Sequence, residues 1–259
     1  SATDMFNTAV GHSAGGAVTT GTLNTLIGGL SGDAITTGAN NTAVGHDSLG
    51  LTTTGNSNTA IGEDSLQANT TASNNTAVGR RAMFDNTTGI DNVAVGHNAL
   101  DANTTASNNT AVGKAALSAN TTGSQNTAIG KDALLDATTA LYNTAVGYQA
   151  GSNITTGNAN TAVGRMSFLT NTTGQSNSAI GNEALYSNTT GSFNSALGHY
   201  ALYFNTTANS NVGIGYQSLY RNTTGAKNVA VGTNALDTNT TGSNNVAIGF
   251  EALDGNTTA

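Results

Sequence analysis

Histidines, carboxylates and aromatic rings are the side chains here that could bind or catalyse. The histidines, His12, His46, His97 and His199, would serve as metal ligands or general bases if they converged. Each directly follows a glycine, and their positions differ in succession by 34, 51 and 102, all multiples of 17 but none equal to it. The chain itself repeats with that period, so no two histidines occupy adjacent repeats. Metal-ligand distances are then out of reach, and they read as solvated turn residues. Glu63 and Asp64 are adjacent acids, with Asp47 one repeat before Asp64. A catalytic carboxylate pair needs a cleft that perturbs a pKa, and a repeat stack offers none. No calcium-loop spacing appears, and absence of Cys excludes disulfides and Cys-based zinc sites. No catalytic, cofactor or metal residue is assigned, and the expectation is a protein that is not an enzyme. The aromatics are different. Seven of 13 fall between 186 and 220: Tyr186, Phe193, Tyr200, Tyr203, Phe204, Tyr216 and Tyr220. Tyr186, Tyr203 and Tyr220 are each one repeat apart and should stack on one edge. They form either a stabilising ladder or, with Tyr200, Phe204 and Tyr216, a surface-contact platform for glycan or a neighbouring fibre.

The elements that place these residues follow from one pattern. An Asn-Thr-Ala-Val-like tetrad followed by Gly recurs with a period of 17, without insertion, from Gly11 to Gly249, giving 15 copies. Such a register is the mark of stacked coils. Counting from that Gly, position −4 is Asn in all copies, −1 is Val, Ile or Leu, and +8 and +9 are both Thr. Position +10 is Gly or Ala. Thr-Ala-Val reads as a short strand bounded by Asn and Gly, Gly as a tight bend with positive φ, and the stacked Asn as a ladder. The expected fold is an all-β parallel β-solenoid, a β-roll of 15 coils, one per repeat, forming one domain over 1–259. At the roughly 4.8 Å spacing of paired strands it would be on the order of 70 Å long.

Two internal regularities describe the packing. Position +4 is Leu, Met or Phe in 12 coils and Gly in three, Gly15, Gly32 and Gly151. In those three alone, position +7 is β-branched and aliphatic: Val18, Ile35 and Ile154. One large side chain replaces another, so the two positions should share a core slot. All Lys and Arg, and all Asp and Glu except Asp4, lie at +1/+2, +5/+6 or +11/+12, which are expected to be the solvent-facing turns. The strand carries no charge on either face. One face can fill the coil; the other would be a bare Thr/Val stripe. With few large apolar residues per coil, this favours self-association as a homotrimer or a filament.

A net charge of −7 argues against nucleic acid, and no run of 18 apolar residues suggests membrane insertion. The chain starts and stops partway through a repeat and reads as a mature protein or a segment of a longer one. Ten Asn-Thr-Thr sequons, Asn69 to Asn256, arise from the repeat and leave glycosylation open.

The Asn-Thr-Ala-Val-Gly unit resembles the head repeats of trimeric autotransporter adhesins. The longer unit Asn177-Ser-Ala-Ile-Gly181-Asn-Glu-Ala-Leu-Tyr186-Ser-Asn-Thr-Thr-Gly191 is similar to the repeats of bacterial and phage tail-fibre-domain proteins. The resemblance covers the whole chain. It implies a left-handed β-roll, a trimer, and an adhesive extracellular fibre at a cell surface or on a virion, with a host-surface glycan or receptor as partner. The adhesin repeat is shorter than the one here, so the additional residues must enlarge a turn. The rival reading is an ice-binding solenoid presenting Thr ranks; against it, the two Thr of each coil are adjacent, so a strand would point only one outward.

Overall fold

A computed structural model describes residues 5–258; Asp4, the exception to the charge map, lies outside them. The protein is an all-β parallel β-solenoid, with no helix among the described residues. It divides into two compact units, residues 1–126 and 127–259. The first holds strands β1 (Thr8–Val10) to β7 (Thr110–Val112), and the second β8 (Thr127–Ile129) to β15 (Val246–Ile248). Each strand is three residues long and falls on the tetrad that marks the repeat.

Within each unit the strands pair in parallel, offset by one repeat. Thr8 faces Thr25 and Val10 faces Ile27 in the first unit; Thr161 faces Ser178 and Val163 faces Ile180 in the second. The stacking does not stop at the strands. Asp47 N–H donates to Gly29 O (3.0 Å), Leu49 N–H to Ser65 O (3.0 Å) and Thr53 N–H to Thr70 O (2.8 Å). The turns are thus hydrogen-bonded from coil to coil as the strands are, and backbone groups that an isolated three-residue strand would leave bare are satisfied.

Strand side chains alternate as the two-residue period requires. The central Ala points in and is fully buried, while the flanking Thr and Val or Ile face out. The interior is filled by that Ala, by Ala or Ser at +3, and by the large residue at +4 (Leu49, Leu66, Met83, Phe168, Leu185), all fully buried. Most interior coils therefore contribute one large apolar side chain to the core and leave a second, at −1, outside; the coil of Gly28 contributes two, Leu26 and Ile35. The shared slot is borne out. A Cβ built on Gly32 would lie 2.8 Å from Ile35 Cδ1, and one on Gly151 3.0 Å from Ile154 Cδ1. A Cβ there would force these side chains to shift, and at Gly32 it would also stand 2.8 Å from Leu26 Cδ2.

The bends hold φ values that L-residues avoid. The repeat Gly sits at φ +136 at Gly62, and a Cβ there would stand 2.6 Å from the Gly79 carbonyl. Only Gly lets coils approach this closely. Two turn positions, −5 and +2, are also left-handed in every coil, and so is +4: Leu49 has φ 53, Leu66 50 and Phe168 54. A large apolar residue in this region costs roughly 1–2 kcal/mol. It is held there because the side chain fills the interior while its N–H bonds to the next coil.

Two ladders of buried Asn run through the coils. At −4, Asn24 Oδ1 accepts the Asn41 backbone N–H (3.0 Å), and Asn41 Nδ2 donates to Gly55 O (2.9 Å); the pattern repeats as expected. The second ladder, at +7, is not anticipated in the sequence reading. Asn86 Nδ2 donates to Asn69 Oδ1 (3.2 Å) and Asn103 Nδ2 to Asn86 Oδ1 (2.7 Å). Asn188, Asn205, Asn222 and Asn239 continue it in the second unit. These are the sequon asparagines. From Asn69 to Asn239 they are fully buried with the amide nitrogen donating, so the folded coil offers none of them for glycosylation.

Candidate functional site

No charged side chain is buried among the described residues. The charges lie on the turns, as the sequence places them, and some form short-range pairs within a coil or between adjacent coils. Arg80 Nε is 3.2 Å from Glu63 Oε2, and Arg80 Nη1 donates to His97 Nε2 (3.4 Å). The histidines do not meet: His12 lies beside Ser13 Oγ (3.3 Å), His97 beside Arg80 and His199 among tyrosines. Among the described residues no group of His, Asp and Glu is placed to hold a metal ion. Three carboxyls, Asp47, Asp101 and Asp237, have pKa values raised above the ordinary range, chiefly because partial burial strips water from the charged form. At Asp101 the nearby Arg81 (3.4 Å) opposes the shift without cancelling it.

The aromatic residues converge. In the second unit Tyr186 and Tyr203, at +5 of consecutive coils, stack at 5.0 Å with planes 7° apart. Tyr220, one coil further, lies 5.5 Å from Tyr203 at 31°. The three rings expected to share an edge do so. Tyr200 approaches from +2, edge-on to Tyr203 (5.3 Å) and to Tyr220 (6.0 Å). Phe204 packs edge-on against Tyr203 (4.7 Å) and Tyr220 (5.1 Å). Tyr216 joins through His199, which lies 3.8 Å from Tyr200 and 5.7 Å from Tyr216. All six proposed contact residues therefore belong to one cluster over three coils. Phe193, at +12, is exposed and makes no ring contact with it among the described residues.

The sequence reading missed His199 as a member. The signal was available: it directly precedes Tyr200 and stands one full repeat before Tyr216. The cluster is not uniformly accessible. The +5 tyrosines and Tyr200 are half-buried, with ring faces turned to one another, whereas Phe204 (41%) and Tyr216 (45%) are exposed. Burial, reinforced by Glu183 and the adjacent tyrosines, raises the Tyr203 pKa, so its phenol stays protonated at neutral pH. Glu183 is paired with Arg165 at 2.6 Å. The result is a largely uncharged aromatic surface rimmed by hydroxyls, suited to stacking and hydrogen bonding.

The Thr pairs at +8 and +9 are divided in role. The +8 hydroxyl donates to the +8 carbonyl of the next coil, as in Thr36 to Thr53 (3.1 Å) and Thr87 to Thr104 (2.9 Å). The +9 Thr is exposed in coil after coil, as at Thr37, Thr54 and Thr71. One rank faces water. No protein-family model matches the chain, and neither does any curated protein.

Proposed function

We propose that this chain is the structural and adhesive shaft of an extracellular fibre, on a bacterial surface or a phage tail, that assembles as a left-handed trimeric β-roll or as a filament and has no catalytic role. The observation that carries the reading is the outward strand face. It has no charge in any coil, and the −1 residue stands well exposed even within the stack, as at Ile61 (40%) and Ile180 (40%). Covering half of such a side chain on association would contribute about 1 kcal/mol per coil, so a whole face gains enough to offset the cost of ordering partners. Winding and symmetry rest on the resemblance of the repeat. The aromatic cluster at 186–220 supplies the adhesive part, with a host-surface glycan or receptor as the partner class. The ice-binding alternative is less well supported, since the +8 hydroxyls are committed to backbone carbonyls and only the +9 Thr of each adjacent pair is left facing water.

Light scattering on the purified chain tests the assembly. The expected mass is a multiple of 25.7 kDa, most simply three. Replacing Val78, Val95 and Val112 by Lys should drive it to the monomer with the coils still folded. A wild-type chain that is a stable, soluble monomer at micromolar concentration defeats the reading.

A further inference from the structure

We infer that the stacked tyrosines Tyr186, Tyr203 and Tyr220 are a modification site, at which a peroxide-driven one-electron oxidant couples neighbouring rings into dityrosine and ties consecutive coils together covalently. The inference stands apart from the fibre reading, because it concerns bonds within one chain.

The repeat places one phenol per coil at +5 in three successive coils, and the coil spacing brings the rings into contact. Tyr203 is central, at 5.0 Å from Tyr186 and 5.5 Å from Tyr220. The chain has no Cys, so disulfides cannot tie these coils. Rings held together in this way react at an effective concentration far above that of separate chains in dilute solution. Tyr200 meets Tyr203 and Tyr220 edge-on rather than stacked (5.3 and 6.0 Å), and the remaining tyrosines of the second unit sort differently. Tyr142 and Tyr148 are more exposed but contact no other ring among the described residues, and Tyr216 pairs only with His199. Exposure alone would favour Tyr142; geometry favours the ladder.

The chemistry balances. Each phenol gives up one electron and its hydroxyl proton to become a phenoxyl radical. Two radicals join through the ring carbons ortho to oxygen, forming one carbon–carbon bond. The two ortho hydrogens then leave as protons while both oxygens regain one, restoring the phenols. The pair has lost two electrons and two protons in all, and one hydrogen peroxide takes them up to become two waters. The ladder rings are half-buried rather than sealed, so a small oxidant or a radical passed from Tyr216 or Tyr200 can reach them.

The test treats the full folded chain, at sub-micromolar concentration, with hydrogen peroxide and a haem peroxidase. Dityrosine fluorescence is read, and elastase peptides are examined for pairs that have lost two hydrogens. Cross-links joining Tyr203 to Tyr186 or Tyr220 are expected. Tyr203→Phe keeps a stacking ring but removes the phenol common to both pairs, so intrachain dityrosine should fall by about threefold or more. Tyr142→Phe and Tyr148→Phe should leave it unchanged, and unfolding in urea before oxidation should suppress it. An unchanged yield in Tyr203→Phe, or cross-links carried by Tyr142 and Tyr148 instead, overturns the inference. Circular dichroism of Tyr203→Phe separates loss of the phenol from loss of the fold. Failure here would leave the mass of the assembly, on which the fibre reading depends, unaffected.

Discussion

Coil three permits a direct test of the shared interior slot. Leu49 is fully buried, and Thr52, three residues on, is buried beside the coil that carries Gly32 and Ile35. Leu49→Gly removes a whole core side chain, a change that costs about 2–5 kcal/mol. It also releases a left-handed residue (φ 53), returning roughly 1 kcal/mol, for a net loss of about 1–4 kcal/mol. Adding Thr52→Ile copies the Gly32–Ile35 arrangement in the next coil. The incoming side chain refills most of the space. The substitution gives up one acceptor, Thr52 Oγ1 for Asn69 Nδ2 (3.1 Å), but that nitrogen keeps Ala72 O (3.2 Å). The loss is therefore ~1 kcal/mol, and a net recovery of about 1–2 kcal/mol is expected. The same pair at Leu117 and Asn120 should recover less. Asn120→Ile removes two bonds, to Asn103 Oδ1 and Gly123 O, and leaves the buried Asn103 Oδ1 without a donor. Urea unfolding followed by far-ultraviolet circular dichroism, with hydrogen exchange at the altered coil, measures both series. If the Leu49→Gly, Thr52→Ile double variant is no more stable than Leu49→Gly, the positions do not exchange volume and the core description is wrong.

Three further outcomes follow from the geometry. Gly62→Ala places a Cβ 2.6 Å from the Gly79 carbonyl at a φ of +136, so it should cost about 3 kcal/mol or more, and hydrogen exchange should show the two coils opening locally. Because Asp47, Asp101 and Asp237 have raised pKa values when folded, the folded state binds their protons more tightly than the unfolded chain. Their contribution to stability is thus fully present below the unfolded carboxylate range and lost as pH rises through the folded values. The melting temperature should climb on acidification through that range, and Asp101→Asn should flatten part of the slope; a fall in the wild-type protein would show that other groups dominate. Thermal hysteresis measured on the unmodified protein should be absent, and a clear freezing gap at micromolar concentration would favour the ice-binding alternative over the fibre.

Much of the coil was legible because identical positions repeat. The inward Ala, the outward Val and the charge-bearing turns all follow from which residues vary and which do not. The exchange between Gly32 and Ile35 was visible as volume compensation before any geometry. Three features were not legible. Nothing in a leucine announces a left-handed backbone at Leu49 or Leu66; neighbouring coils impose it, and local propensity argues the other way. The +7 Asn ladder was hidden although the shared slot placed +7 inside, because only stacking gives each amide a partner on both sides. In the aromatic cluster the repeat period predicted Tyr186, Tyr203 and Tyr220, and Tyr200 was named with them, but the way Tyr200 and His199 enter across the turn from +2 and +1 was not legible. That approach depends on how tightly the bend closes.

The in-register ladder has a consequence for how such a chain can change length. Every backbone bond between coils joins residues close to one repeat apart, and each coil presents to its successor the surface that its predecessor presented to it. Inserting or removing one whole coil within a unit reproduces every kind of contact. Inserting a single residue breaks the match for the Asn ladders, the glycine bends and the inward Ala together. Length is therefore quantised: the chain can be lengthened or shortened almost freely by one fixed increment and hardly at all by any fraction of it. Deletion of residues 59–75 should give a folded protein one coil shorter, while deletion of 59–74 should not fold through that region.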